Sequence, residues 1–144
     1  MTVNAILKDK GREVHSLAPT DRVRDAVATL SEKRIGALLV MHEQDRIAGI
    51  LSERDIVREL AKRGSDVLDE SVAAIMTSKV RSCSPSDTIA RVMEMMTEGR
   101  FRHLPVLEDG TLVGFISIGD VVRRRIGEVE QEAADIRDYV AAGG

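Results

Sequence analysis

Tryptophan is absent from the 144-residue chain, and one tyrosine and two phenylalanines are its only aromatics apart from histidine. The core is therefore expected to be aliphatic, built from Val, Ile, Leu, Met and Ala. A single cysteine, Cys83, excludes an internal disulfide framework and suits a reducing compartment. Neither sign of charge dominates: 21 Lys and Arg against 24 Asp and Glu leave a net charge of −3. That balance supplies no basic field for nucleic acid. No stretch approaches the roughly 20 apolar residues of a membrane span, and the opening "MTVNAILKDKG" lacks the apolar run of a signal peptide. His15, His42 and His103 show no metal-ligand spacing and have no cysteine pair to join. The absences describe a soluble cytoplasmic protein without a metal, a nucleic-acid partner or a membrane.

What is present is a repetition. "GILSERD" (Gly49 to Asp55) returns as "GFISIGD" (Gly114 to Asp120). Over a longer span, Val14 to Val57 aligns with Val80 to Val122. Pro19 falls on Pro85, Asp21 on Asp87, Glu32 on Glu98, Leu38 on Leu104 and Val40 on Val106. The offset is 66 to that point and 65 from the glycine onward, so one residue was gained or lost between "EQDR" and "EDG". A turn tip is where a length change costs least.

Each copy reads as β-α-β-β-α. "VHSLAP" is a short extended entry that stops at proline. "PTDRVRDAVATLSEKR" is helical, with Thr20 as cap and Val23, Ala26, Val27 and Leu30 on one face. "GALLVM" is a continuous apolar run, as in a strand buried on both faces. "HEQDR" turns the chain into "IAGIL", completing a hairpin. "SERDIVRELAKRG" is a second helix, capped by Ser52, with Ile56, Val57 and Leu60 inward and Gly64 at its end. Arg34 and Arg100 read as solvated helix ends. The second copy repeats the order and ends in "SIGDVVRRRIGEVE". A unit of about 50 residues cannot bury enough apolar surface alone, which is a structural reason for two copies.

The β-α-β-β-α order, the "RHLPV" strand, the doubled Gly-apolar-apolar-Ser-x-x-Asp phrase and the "IMTSKVRSCSPSDTI" lead-in resemble tandem cystathionine-β-synthase (CBS) domains, the Bateman module. The resemblance runs over about residues 8 to 128. It implies an α/β fold of two CBS motifs packed sheet to sheet about a pseudo-twofold axis. The divisions are a lead-in over 1–12, motif 1 over 13–66, a linker over 67–79, motif 2 over 80–128 and a helical tail over 129–144. It further implies clefts for an adenosine-containing ligand (AMP, ADP, ATP, NAD or S-adenosylmethionine), a disc-like homodimer and an effector protein regulated by ligand occupancy.

The residues suit such a ligand. Ser52 and Ser117 stand where a helix begins, and the free N–H groups there favour phosphate. Asp55 and Asp120 lie one turn on; an ionised carboxylate is acceptor-only and can take both hydroxyls of a ribose. Gly49 and Gly114 let another group approach the backbone. Arg54 could reach phosphate, while the second copy has Gly119 there. By the family pattern one cleft combines Ser117 and Asp120 with Ser16 and the Ile35-Gly36-Ala37 backbone. The other combines Ser52, Arg54 and Asp55 with Ser82, Phe101, Arg102 and His103. Arg102 and His103 resemble a basic pair that contacts phosphate in this family. Their counterparts Gly36 and Ala37 are uncharged, so the two clefts are unequal.

Ser-x-x-Asp is also a helix capping box that needs no ligand, and both roles can coexist. A ligand-independent dimeric interaction module is therefore the alternative. "RRR" (Arg123 to Arg125) reads as a solvated helix end, "VMEMM" (Val92 to Met96) as core or dimer filling, and Cys83 as a buried or half-buried thiol. The tail, with Ile136, Tyr139 and Val140 on one stripe, and the N-terminal "VNAILKDKG" could each pack back, pair in a dimer or meet a partner. No P-loop, G-x-G-x-x-G, H-E-x-x-H or nucleophile elbow is present, so no catalytic residue is expected.

Overall fold

The computed structural model describes residues 1–143. The chain forms two compact units: one is the continuous segment 13–81, and the other joins residues 1–12 to residues 82–144.

In the continuous unit, β1 (Ser16–Leu17), α2 (Val23–Lys33), β2 (Ala37–His42), β3 (Arg46–Ser52) and α3 (Glu53–Arg63) follow in order. The helix α1 (Val3–Lys10) precedes them in the chain. The sheet order is β1-β2-β3, with β1 parallel to β2 and β2 antiparallel to β3. Residues 37–40 of β2 are all buried, as a continuous apolar run requires. Val23, Ala26 and Leu30 of α2 and Ile56 of α3 close on this strand, together with Val67, Val72 and Ile75 from the segment that follows.

In the other unit, α4 (Ile89–Gly99), β4 (His103–Glu108), β5 (Thr111–Ser117) and α5 (Ile118–Ala141) repeat the pattern. The strands β3 and β5 carry the same alternation of burial, residue for residue. The entry strand of this copy is reduced to one parallel bridge, Cys83 to Val106. The offset change lies where expected. The first hairpin turns through three residues, Glu43–Asp45, with Gln44 and Asp45 at positive φ. The second turns at Asp109 and Gly110, φ 51° and 79°, the two-residue turn that Asp-Gly favours.

Four expectations need correction. Thr20 does not cap α2; the N-cap position is Arg22, without a side-chain bond, and Asp21 instead accepts the Ala18 N–H at 2.9 Å. Val57 is 64% exposed and Val27 38% exposed, so neither faces the core. The second-copy helix and the tail are one helix of 24 residues, because nothing between Arg123 and Asp138 breaks it. The arginine run therefore lies in its opening turns, where Arg123 meets Asp120, Arg124 meets Asp9 and Arg125 meets Glu128.

The lead-in segments are exchanged. Val3, Ile6 and Leu7 of α1 are buried among residues of the second copy. Ile75 is buried, and Met76 partly buried, among residues of the first. "AILKDK" (5–10) and "AIMTSK" (74–79) share Ala-Ile, an apolar residue and a closing lysine. This third repeated phrase is legible once its place is known.

Met95 and Met96 fill the second core. Cys83 is also there, 5% exposed, and burial, helped by the charge of Asp87, pushes its thiol up to about 12. Because the thiolate is the reactive form, a disulfide-exchange reagent at pH 7.5 should leave the native chain unlabelled and label it fully in denaturant. Native labelling at the rate of a free thiol would contradict this packing. Among the described residues no helix is long and apolar enough to cross a membrane.

Candidate functional site

The two Ser-x-x-Asp phrases form complete capping boxes. Ser52 Oγ accepts the Asp55 N–H at 3.2 Å, and Asp55 Oδ2 accepts the Ser52 N–H at 3.0 Å. Ser117 and Asp120 repeat this at 3.3 and 2.8 Å. Each serine hydroxyl also donates to the same carboxylate oxygen, at 3.1 and 3.0 Å. The boxes hold the aspartates close to the strand ends, with only 7% of the Asp55 side chain and 9% of the Asp120 side chain exposed.

The remaining partners differ. Asp55 Oδ1 accepts from Arg58 at 2.7 Å and from the Thr77 hydroxyl at 3.4 Å. Asp120 Oδ1 accepts from Arg123 at 2.7 Å, and its Oδ2 accepts from Lys10 at 2.7 Å. A neutral hydroxyl in one unit is thus replaced by an ammonium from the end of α1 in the other. Burial raises the Asp120 carboxyl, but Lys10 and the Ser117 N–H outweigh it and hold the group below its ordinary range. Beside it opens a cleft of about 400 Å³, lined by Ile6, Asp9, Lys10, Asp120, Arg123, Arg124 and Gly127.

Within each unit, the start of the central strand lies against the Ser-x-x-Asp phrase of the same copy. Ala37 pairs with Ser52, and the Gly36 carbonyl accepts the Glu53 N–H at 2.9 Å. His103 pairs with Ser117, and the Arg102 carbonyl accepts the Ile118 N–H at 2.7 Å. The strand-start backbone expected to line the clefts is thus partly engaged already, with Arg34 and Arg100 just ahead of it in the left-handed region, both at φ 55°. Ser16 and Ser82 are exposed at their entry segments, as is Arg54 on α3. Phe101 and Ile35 are half-buried.

Two site readings change. Gly49 and Gly114 lie three residues before the ends of β3 and β5, and the close approach they permit is by the chain itself. A Cβ on Gly49 would sit 2.7 Å from the Thr77 carbonyl oxygen; one on Gly114 would sit 2.5 Å from Leu7 Cδ2. His103, expected as half of a basic pair, is neutral at pH 7. Burial first, then the charges of Lys10 and Arg102, lower it to about 4 against the pull of Asp120. Its ring stacks on Phe115, centroids 5.7 Å apart. Lys10 is the site residue that sequence reading missed, and the repeated lead-in phrase is the signal that would have found it. No group of three or more metal-ligating side chains occurs among the described residues.

Comparison with known proteins places this arrangement. The CBS domain profile matches twice, over residues 9–62 and 72–127. The chain belongs to the CBS domain family. A CBS domain-containing protein of Arabidopsis thaliana, CBSX3, mitochondrial, is 34% identical over 99% of this chain and 73% of its own length. The crystal structure of the CBS-domain protein ATU1752 from Agrobacterium tumefaciens superposes with a TM-score of 0.85 at 42% identity, over 87% of this chain and 99% of that one. The CBS domain pair of MJ0100, solved with 5′-methylthioadenosine and S-adenosyl-L-methionine, shares the fold at a TM-score of 0.75 and 22% identity, over 85% of this chain and 98% of that one.

Proposed function

We propose that this CBS pair is a regulatory module that binds an adenosine-containing ligand, of the AMP, ADP, ATP or NAD class, and signals occupancy to a separate effector protein through a change of conformation. It performs no bond-breaking chemistry and works as a homodimer in the cytoplasm. The observation that carries the reading is the buried Asp120 carboxylate, which opens onto a cleft rimmed by Lys10, Arg123 and Arg124. The adenosine ligands of the MJ0100 pair support the class of ligand.

The chemistry follows from the bonds already present. Arg123 is 74% exposed and holds Asp120 by an i,i+3 pair. An ion pair with so exposed a partner contributes little, about 0–1 kcal/mol. Ribose hydroxyls donating to Asp120 would displace Arg123 and weaken the hold of Lys10. Both cations then become partners for phosphate, with Arg102 and neutral His103 contributing nearby. Because Lys10 closes α1, ligand binding pulls on that helix, and this is the relay. The corresponding Asp55 site, with Ser52, Arg54 and Arg58, has Thr77 in place of the lysine and is the weaker phosphate site.

The alternative, an interaction module in which both boxes serve only as caps, is favoured by one observation: every box bond is made without a ligand. Titration calorimetry of the nucleotide-stripped protein with AMP separates the two. A micromolar dissociation constant, about −8 kcal/mol, is expected. It should be lost in Asp120→Ala, with Asp55→Ala affecting only a second, weaker event. Circular dichroism should show both variants folded, since loss of a cap costs only about 1 kcal/mol. Silence from AMP, ATP, NAD and S-adenosylmethionine alike would leave the capping role alone.

A further inference from the structure

Among the described residues, no side chain in the second half of α5 bonds to another element of the chain. Beyond Glu128, the only side-chain hydrogen bond among the described residues is Gln131 to Asp135, internal to the helix. Yet the helix runs to Ala141. An isolated helix of fewer than about 12–15 residues is marginal in water. This one also exposes an ordered apolar row: Val122 (38%), Ile126 (53%), Val129 (49%), Ile136 (65%) and Val140 (61%). With the small Ala133, their spacing is 4-3-4-3-4, the heptad alternation of a coiled-coil seam.

The flanking charges select the partner. With Ile126, Ala133 and Val140 at the a positions, Arg125 and Glu132 occupy g, and Glu130 and Arg137 occupy e. In a parallel, in-register pair each g residue faces the e residue five positions on in the other strand. Arg125 then faces Glu130, and Glu132 faces Arg137; both contacts are attractive and each occurs twice by symmetry. Glu130, Glu132 and Arg137 have no hydrogen bond or ion pair within the chain among the described residues. We infer that the C-terminal half of α5 pairs with the same segment of a second copy as a parallel two-stranded coiled coil. The occupant of the exposed seam is thus another copy of this chain rather than a peptide or a lipid surface. This deepens the homodimer reading above and does not depend on nucleotide binding.

The test uses the full chain, without ligand. Ile136→Cys places two thiols face to face only in the parallel register, so mild oxidation should give a covalent dimer on a non-reducing gel. Asp138→Cys, on the outer face, should give little, and buried Cys83 should not interfere. In sedimentation equilibrium, Glu132→Arg and Arg137→Glu should each weaken the dimer by about tenfold, and the double exchange should restore it. Failure of the double exchange to restore association overturns the parallel pairing. A chain that sediments as a dimer but does not cross-link at position 136 overturns the coiled coil and leaves the homodimer standing. A monomer at micromolar concentration overturns both.

Discussion

Leu7→Ala should destabilise the protein by about 3 kcal/mol, and Gly114→Ala by about 2 kcal/mol, while the double variant loses clearly less than their sum. Leu7 is only 2% exposed, so truncation leaves a cavity that the surroundings fill incompletely. Gly114 admits no Cβ because Leu7 Cδ2 occupies its place, 2.5 Å away. When Leu7 is alanine that carbon is gone, and the new methyl group enters the space it vacated. Gly49 supplies the control. There the obstructing atoms include the backbone oxygen of Thr77, at 2.7 Å, as well as the Met76 sulfur. That backbone is pinned, since Ile50 and Thr77 exchange N–H···O bonds at 2.9 Å in both directions. Met76→Ala should therefore not rescue Gly49→Ala. Urea unfolding of both double-mutant cycles measures the couplings. Additivity within about 0.5 kcal/mol at the Leu7–Gly114 pair would show that the helix is not seated on that strand.

Acidification should destabilise the protein through His103, and His103→Gln should remove that component. The folded imidazole titrates at about 4 and the unfolded one near 6.5. Between those values the unfolded chain holds a proton that the folded chain does not, so stability rises with pH across the window and is lost as pH falls through it. The full difference corresponds to about 3 kcal/mol. Urea midpoints of wild type and His103→Gln measured from pH 7 to pH 4 should diverge by that order. Parallel curves, or a resonance assigned to the His103 imidazole that titrates near 6.5, would remove the buried neutral histidine. At pH 7 the imidazole can donate or accept one hydrogen bond beside Asp120, but it adds no charge. Attraction for a phosphate there rests on Lys10 and the arginines.

The repeat was legible because its periodicities were strong. Continuous apolar strands, an Asp-Gly turn and Ser-x-x-Asp caps each act within a few residues, and local chemistry decides them. Val57 and Val27 misled because apolar character alone does not say which side of a helix meets a core. Thr20 misled because Asp21 and Arg22 lie between it and the first helical residue, and it is Asp21 that bonds back to the Ala18 N–H. The continuity of α5 was hidden by the end of the repeat, which marks where resemblance stops and not where hydrogen bonding does. Lys10 was out of reach for a different reason. It lies 110 positions from Asp120, and only the exchange of lead-ins brings the two together. The capping half of each site could thus be read locally, whereas the charge that distinguishes them could not.

That exchange also sets an order of assembly. Residues 13–81 form a unit from uninterrupted chain, while residues 1–12 belong with a unit whose other part begins at residue 82. Domains fold as units while the chain is being made. The middle segment can bring its own core residues together as soon as it leaves the ribosome. The first helix cannot: the surface that receives Val3, Ile6 and Leu7 does not exist until the second hairpin and α5 have been synthesised. The lead-in helix waits longest for its partner surface, and until that surface is made the helix's apolar face is exposed to whatever chaperone or degradation machinery scans nascent chains.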